Sequence, residues 1–160
     1  MSYYLSDCPV NRPILYVVVH CSASKVTTNF TLKDLHHLHV DICHWSDIGY
    51  HYLVRLDGTI QNGRDVDIIG AHVEGYNLHS IGIAYVGGLN NSGKATDTRT
   101  ENQKAALLNL LRDLRELYPR ALIKGHRDYS PDKNGNGVVE PSEWMKECPC
   151  FDARQEYAKL

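Results

Sequence analysis

The chain predicts an α/β domain, a mixed β-sheet flanked by helices, and three segments carry that expectation. "ILYVVV" is a continuous, mostly β-branched apolar run, and "YHYLVRLDGTIQNGR" alternates around an Asp-Gly pair. "TENQKAALLNLLRDLRELYP" repeats its leucines at helical spacing between a polar cap and a proline. Strands and helices interleave along the chain, so the helices are expected on the faces of a shared sheet.

Taken in order, Ile14 to Val19 follows Pro13 and reads as a buried central strand, because a strand covered on both faces is apolar at every position. It ends at His20. "TLKDLHHLHVDICHW" opens with Thr31 three residues before Asp34, a capping-box-like start, and sets Leu32, Leu35, Leu38 or His39, and Ile42 at helical spacing. A helix with a histidine-rich outer face is expected there, with His36, His37, His39 and His44 as a surface or packing cluster crowded enough to bind stray metal. Asp57-Gly58 is the strongest short hairpin signal a sequence offers and predicts two strands, with Tyr50 at the head of the first. "SIGIAYVGG", Ser80 to Gly88, reads as a further strand, and "LNNSGKATDTRT" as a polar loop. Thr100 and Gln103 form a second capping box ahead of Leu107, Leu110, Leu111, Leu114 and Leu117, and Pro119 stops the helix. "ALIKG" is a short strand leading into His126, and "FDARQEYAKL" a closing helix with Asp152 near its N-cap.

Composition narrows the function before any motif does. The 160 residues are 42% hydrophobic and 22% charged with a formal net charge of -2, which suits one domain spanning 1–160 and lacks the basic field that sequence-independent nucleic-acid binding uses. No nucleic-acid partner is expected. No apolar run approaches the roughly 18 residues that span a bilayer, and "MSYYLSDCPVNRP" has neither the basic start nor the apolar stretch of a secretory signal. The chain is therefore expected to be made in the cytoplasm, without membrane insertion.

Cys8, Cys21, Cys43, Cys148 and Cys150 are an odd set in a chain without an export signal, which favours reduced thiols or metal ligands over a disulfide framework. "KECPCFD" places Cys148 and Cys150 on either side of Pro149, where closing them on each other would strain the ring, and the C-x-C turn differs from the C-x-x-C of redox couples. Metal ligation leads, and it needs partners. His20 ends the first strand and His126 follows the last, at strand ends where open α/β sheets place function. With a thiolate from the Cys-Pro turn they make three ligands and leave a fourth tetrahedral position for water. The spacing matches no local zinc motif, so ordinary histidines at strand ends remain the competing reading.

Five stretches in order, "VVVHCSAS", "GYHYLVRLDGTIQNGRD", "GAHVEGYNLHSIGIAYVGG", "KGHRD" and "KECPCFD", resemble the zinc-dependent N-acetylmuramoyl-L-alanine amidases, a family that includes amidase-type phage lysozymes and animal peptidoglycan recognition proteins. The resemblance runs from about Tyr16 to Arg154. It implies a peptidoglycan recognition protein-like amidase fold, hydrolysis of the amide joining N-acetylmuramic acid to L-alanine, and peptidoglycan or muropeptides as the partner. It also implies zinc on His20, His126 and Cys148, with Cys148 preferred to Cys150 because it immediately precedes the proline of C-P-x-F-D. Tyr50 and Lys146 are implied as catalytic side chains, and His72 and Asn77 of "AHVEGYN" as residues lining the substrate groove. No H-E-x-x-H is present, so the helix-borne glutamate base of the zincins is not expected. Family analogy supplies two alternatives: peptidoglycan binding without cleavage, against which the presence of Cys148 argues, and inhibition of an RNA polymerase. An amidase without an export signal would reach the wall after release by lysis or another route, as a phage or prophage endolysin does.

One stretch departs from the shorter phage enzymes. "DKNGNGVVEPSE", Asp132 to Glu143, fits D-x-[DN]-x-[DN]-G-x5-E at every specified position. A calcium ion there would take Asp132, Asn134, Asn136, the Val138 carbonyl, Glu140 and a bidentate Glu143, with Gly137 at the sharp turn. The expectation is that calcium braces this 132–143 insertion and so positions Lys146 and Cys148.

Overall fold

Strand β1, Tyr16–Cys21, is bonded in parallel on both sides, to β5 (Ser80–Tyr85) and to β7 (Leu122–Gly125). The computed structural model describes Tyr3, Leu5 and residues 10–160, so the expectation for Cys8 lies outside the described residues. The five-stranded sheet has the order β4-β3-β5-β1-β7, in which β3 is Tyr52–Val54 and β4 is Ile60–Asn62. β3 runs parallel to β5 but antiparallel to β4, across the Asp57-Gly58 turn, which makes the sheet mixed as expected. A second sheet of two short parallel strands, β2 (Ser24–Lys25) and β6 (Gly88–Leu89), has no counterpart in the sequence reading. Two residues carry no periodicity to read.

Alternation along the strands divides the sheet into two faces. Val17, Val19 and Cys21 of β1 join Ile81, Ile83 and Tyr85 of β5 in the larger core. Helix α2, Glu101–Leu117, covers that face with Leu107, Leu110, Leu111 and Leu114, all fully buried. Its start is the expected capping box, with Thr100 accepting from the Gln103 N–H and the Gln103 side chain accepting from the Thr100 N–H. On the other face Leu35, Ile48, Leu53, Ala84 and Val86 form a smaller cluster. Among the described residues no helix is long and apolar enough to cross a membrane.

Two elements differ from expectation. β1 starts at Tyr16 rather than Ile14 and runs one residue past His20 to Cys21, because parallel pairing with Ala84 and Tyr85 continues. Helix α1 spans only Leu32–His36, with its Thr31–Asp34 capping box in place, and continues as a π-helical segment over His37–Ile42. A wider turn rotates the following side chains away from α-helical spacing. Leu38 and Ile42 are exposed as a result, while His39 turns inward, accepts the Gly49 N–H at 3.1 Å and packs its ring 4.5 Å from Trp45. His36, His37 and His44 stay on the surface.

Buried cations hold the irregular connections. Arg12 donates to the carbonyls of Val66, Asn77, Leu78 and Ser80, and Arg64 to those of Ile48 and Ile69, which satisfies backbone acceptors in the 63–79 loop and beside it. Arg99 pairs with Asp97 and Glu156 and lies 3.2 Å over the Phe151 ring, fastening the chain end to the N-terminal approach of α2. The closing helix α3 is short, Ala153–Glu156, and Asp152 caps it by accepting the Gln155 N–H.

His51 is buried with Nδ1 accepting the Gly82 N–H at 3.0 Å and Nε2 facing the Ile68 carbonyl at 3.0 Å, a pattern that suits the neutral ring. Burial above all drives its pKa down to about 4. Between that value and the roughly 6.5 of an unfolded histidine the unfolded chain binds more protons, so stability present above pH 6.5 is lost as pH falls toward 4. His20, His72 and His126 are shifted in the same direction. Urea denaturation of the metal-free protein should show a lower midpoint at about pH 5 than at about pH 7.5; equal midpoints would contradict this assignment.

Candidate active site

Parallel register decides which residues meet. Val19 of β1 is the partner of Gly125 of β7, so the next residues, His20 and His126, stand side by side although far apart in sequence. His20 Nδ1 lies 3.1 Å from His126 Nδ1 and 3.9 Å from Cys148 Sγ. Ligand atoms of all three lie within 4.8 Å of one another, and among the described residues no other His, Cys, Asp and Glu set converges in this way. A tetrahedral zinc ion, with bonds of about 2.0–2.1 Å to nitrogen and about 2.3 Å to sulfur, separates its ligand atoms by about 3.3–3.6 Å. The observed spacing fits such a set with small adjustment.

Cys148 reaches the two histidines from the C-terminal turn. The Cys21 backbone N–H donates to Cys148 Sγ at 3.2 Å, the Arg127 N–H donates to the Cys148 carbonyl at 2.8 Å, and the Tyr85 hydroxyl donates to the Pro149 carbonyl at 2.6 Å. The Cys148–Pro149 peptide is cis. Cys150 turns elsewhere: its sulfur lies against Cys21 and the Gly88 carbonyl, outside the converging set.

Behind His20 a polar chain continues. His20 Nε2 is 3.0 Å from His72 Nδ1, and His72 Nε2 is 3.2 Å from Ser80 Oγ. With His20 Nδ1 turned to a cation, Nε2 carries the hydrogen and donates to His72 Nδ1, and His72 then donates its own Nε2–H to Ser80. One protonation pattern thus satisfies every ring nitrogen in this chain. The His72 ring lies on β5 at Gly82, where an added Cβ would fall 2.7 Å from it, so a side chain at this position would displace the ring. Burial first, then the charges of neighbouring histidines, holds His20 and His72 well below the usual histidine range. Burial and the Lys146 ammonium bring His126 to about 4. All three are neutral at pH 7, the form in which imidazole binds metal.

Tyr50 stands just before β3 and packs its ring between His20, at 5.0 Å, and His39, at 5.7 Å. Burial, then the nearby Cys148 and Cys21 sulfurs, pushes its pKa up. Lys146 is exposed on the rim. It lines a cleft of about 240 Å³ with His72, Val73 and Glu74 opposite, and His126 and Tyr129 also on the wall. A larger hollow of about 690 Å³ lies between the β3–β4 hairpin and α2, but it contains none of these residues. Asn77 acts on the cleft through the backbone, its side-chain oxygen accepting the N–H groups of His72 and Val73 at 2.9 Å each.

In the 132–143 loop Asp132 accepts the Gly135 and Gly137 N–H groups at 2.7 Å each. Glu143, almost fully buried, accepts those of Lys133, Asn134 and Glu140. The side-chain oxygens of Asn134 and Asn136 accept the N–H groups two residues on, and Glu140 accepts from the Asn134 amide. The Asp132, Glu140 and Glu143 carboxylates do not converge as the His, His, Cys set does.

Sequence reasoning did not find Ser80 or the Cys21 amide as supports of the ligands. Ser80, a polar residue opening an apolar strand, was a weak cue; a backbone N–H offers none.

Fold and site together define a class: an α/β domain in which His20, His126 and Cys148, a donor set that fits zinc, converge beside an open cleft. The chain belongs to the N-acetylmuramoyl-L-alanine amidase (Amidase_2) family, whose profile matches residues 10–150. It is 37% identical over 137 residues to an endolysin of Enterobacteria phage K11, covering 86% of this chain and 81% of the relative. Among solved structures, the N-acetylmuramoyl-L-alanine amidase LysC from Clostridium intestinale URNW aligns at a TM-score of 0.70 with 28% identity, over 99% of this chain and 92% of that one. The complex of peptidoglycan recognition proteins LCa and LCx with tracheal cytotoxin aligns at 0.67 with 27% identity, over 94% of this chain and 84% of that one.

Removing the hydrogen-bond partner behind a metal-bound histidine typically lowers metal affinity about 10–100-fold. His72→Ala is therefore expected to weaken zinc binding in a chelator competition by that order, and His72→Asn, whose oxygen can still accept from His20, to recover part of the loss. Equal affinities for wild type and His72→Ala would remove His72 from the support of the site.

Proposed function

We propose that the protein, acting as one domain, hydrolyses the amide bond between N-acetylmuramic acid and L-alanine in peptidoglycan or its soluble fragments, in a zinc-dependent reaction. The observation that carries this reading is the convergence of His20, His126 and Cys148 beside Tyr50 and Lys146 in a chain of the amidase family. Zinc, when held by His20, His126 and Cys148, would supply a Lewis acid and activate water for attack on the amide. Tyr50 remains a phenol at neutral pH and offers its O–H to the amide oxygen as negative charge develops there. Lys146 adds an ammonium at the same rim, and its field already reaches His20 and His126. The departing L-alanine amine must gain a proton, and Tyr50 and Lys146 are the donors nearest this role.

The cleft between Val73–Glu74 and Met145–Lys146 is the place for the stem peptide. Support comes from the relatives, which include endolysins and a recognition-protein complex with tracheal cytotoxin. Action on the wall would follow release from the cytoplasm, as for an endolysin.

Mass spectrometry of purified peptidoglycan incubated with the zinc-loaded protein should reveal free stem peptides beginning with L-alanine, absent with His20→Ala and with a chelator. An intact wall in the presence of folded, zinc-bound protein would leave binding without cleavage as the activity. Tyr50→Phe should lower kcat about 10²–10³-fold, the usual cost of removing an oxyanion donor. An unchanged kcat would exclude the phenol from the reaction.

We also propose that calcium binds the 132–143 loop. Two observations support this: the full D-x-[DN]-x-[DN]-G-x5-E pattern, and a loop whose first and last carboxylates, Asp132 and Glu143, both fold inward onto its backbone. Isothermal titration should give heat with calcium and the melting temperature should rise, neither occurring in Asp132→Ala. Wild-type protein giving neither response would dispose of the calcium site.

A further inference from the structure

The second cysteine of "KECPCFD" has no part in the ligand set, yet its surroundings are specific. Cys150 Sγ lies 4.0 Å from Cys21 Sγ, and its thiol donates to the Gly88 carbonyl at 3.4 Å. Successive side chains of β1 point to opposite faces. His20 therefore serves the metal side, while Cys21 sits in the larger core with Val17 and Val19. The Cys-Pro turn wraps the end of the strand so that Cys148 approaches His20 and Cys150 approaches Cys21. Gly88 keeps the space: its φ is +98°, and an added Cβ would fall 2.5 Å from Cys21 Sγ and 3.7 Å from Cys150 Sγ.

We propose that Cys21 and Cys150 are a modification site, a dithiol that closes to a disulfide under oxidising conditions and fastens the Cys-Pro turn to the end of β1. Bond formation needs the sulfurs to approach to about 2.05 Å, a movement of about 2 Å shared between two side chains already in contact. The oxidant is a small disulfide such as glutathione disulfide. Cys150, the less buried thiol, exchanges into a mixed disulfide and releases one glutathione thiol; Cys21 then attacks the Cys150 sulfur and releases the second. Two protein S–H bonds and one glutathione S–S bond become one protein S–S bond and two glutathione S–H bonds, so electrons and protons balance. The chief competitor is Cys148, whose sulfur also lies beside Cys21 and accepts its backbone N–H at 3.2 Å. Its sulfur, however, is committed to the ligand set and to the Cys21 N–H. The pair would be open in the reducing cytoplasm and closed in an oxidising compartment such as the one outside it.

The test is independent of amidase activity. Zinc-loaded protein is incubated with glutathione disulfide, alkylated, digested without reduction and mapped by mass spectrometry, with zinc content and melting temperature measured on the same sample. The expected result is a mass loss of two hydrogens, a Cys21–Cys150 linked peptide, one zinc retained, and a melting temperature raised by about 5 °C or more, as a disulfide closing a long loop gives. Dithiothreitol should reverse the change, and Cys150→Ser should show neither the link nor the rise. A link through Cys148 with loss of zinc, or free Cys21 and Cys150 thiols in folded protein after the incubation, would overturn the proposal.

Discussion

The cleft depends on the parallel bonding of β1 to both of its neighbours. Pairing with β7 in the register Val19 to Gly125 sets His20 beside His126, and pairing with β5 puts Gly82 and Ala84 on the face that His20 shares. A slip of one residue along β1 would turn His20 into the leucine-rich core under α2 and bring Cys21 or Val19 to the cleft. That slip is opposed, because Val17 and Val19 would leave their places against the α2 leucines and the polar His20 ring would enter that core without its partners. The hydrophobic pattern of an otherwise ordinary strand therefore aims His20.

Burial acts on the same histidines a second time. Removing His20, His72 and His126 from water holds their pKa values down, leaving neutral rings at pH 7. Buried neutral rings still need partners for both nitrogens. The run from His20 through His72 to Ser80 provides them on one side and leaves a lone pair facing His126 and Cys148 on the other. Acid sensitivity of the fold and readiness for a cation are thus two consequences of one buried network.

The C-terminal turn joins the site to the rest of the chain. Arg99, gripping Asp97, Glu156 and the Phe151 ring, anchors the segment just after the cysteines, while the Tyr85 hydroxyl and the Cys21 amide hold Pro149 and Cys148 directly. The 132–143 loop ends three residues before Lys146, so anything that stiffens it acts on the rim of the cleft. Cys21 and Cys150 lie at the core side of the same junction.

Much of this was legible in the residues. The apolar run before His20, both capping boxes, the Asp57-Gly58 hairpin and the leucine face of α2 are local signals, and each formed with its bounds shifted by about two residues at most, because backbone hydrogen bonding and side-chain periodicity act over a few neighbours. The candidate ligands were recognisable by motif. The π-helical turn that moved His39 inward was not, since packing of His39 on Trp45 and Tyr50 overrode α-helical spacing. Nor was the position of His72 behind His20, the support from Ser80, or the pairing of Cys150 with Cys21. Those contacts join residues from separate strands and loops. Sequence alone determined the elements and the chemistry of the side chains; which nitrogen meets which sulfur was decided by strand register and core packing, because only the folded sheet brings distant segments within a few ångströms.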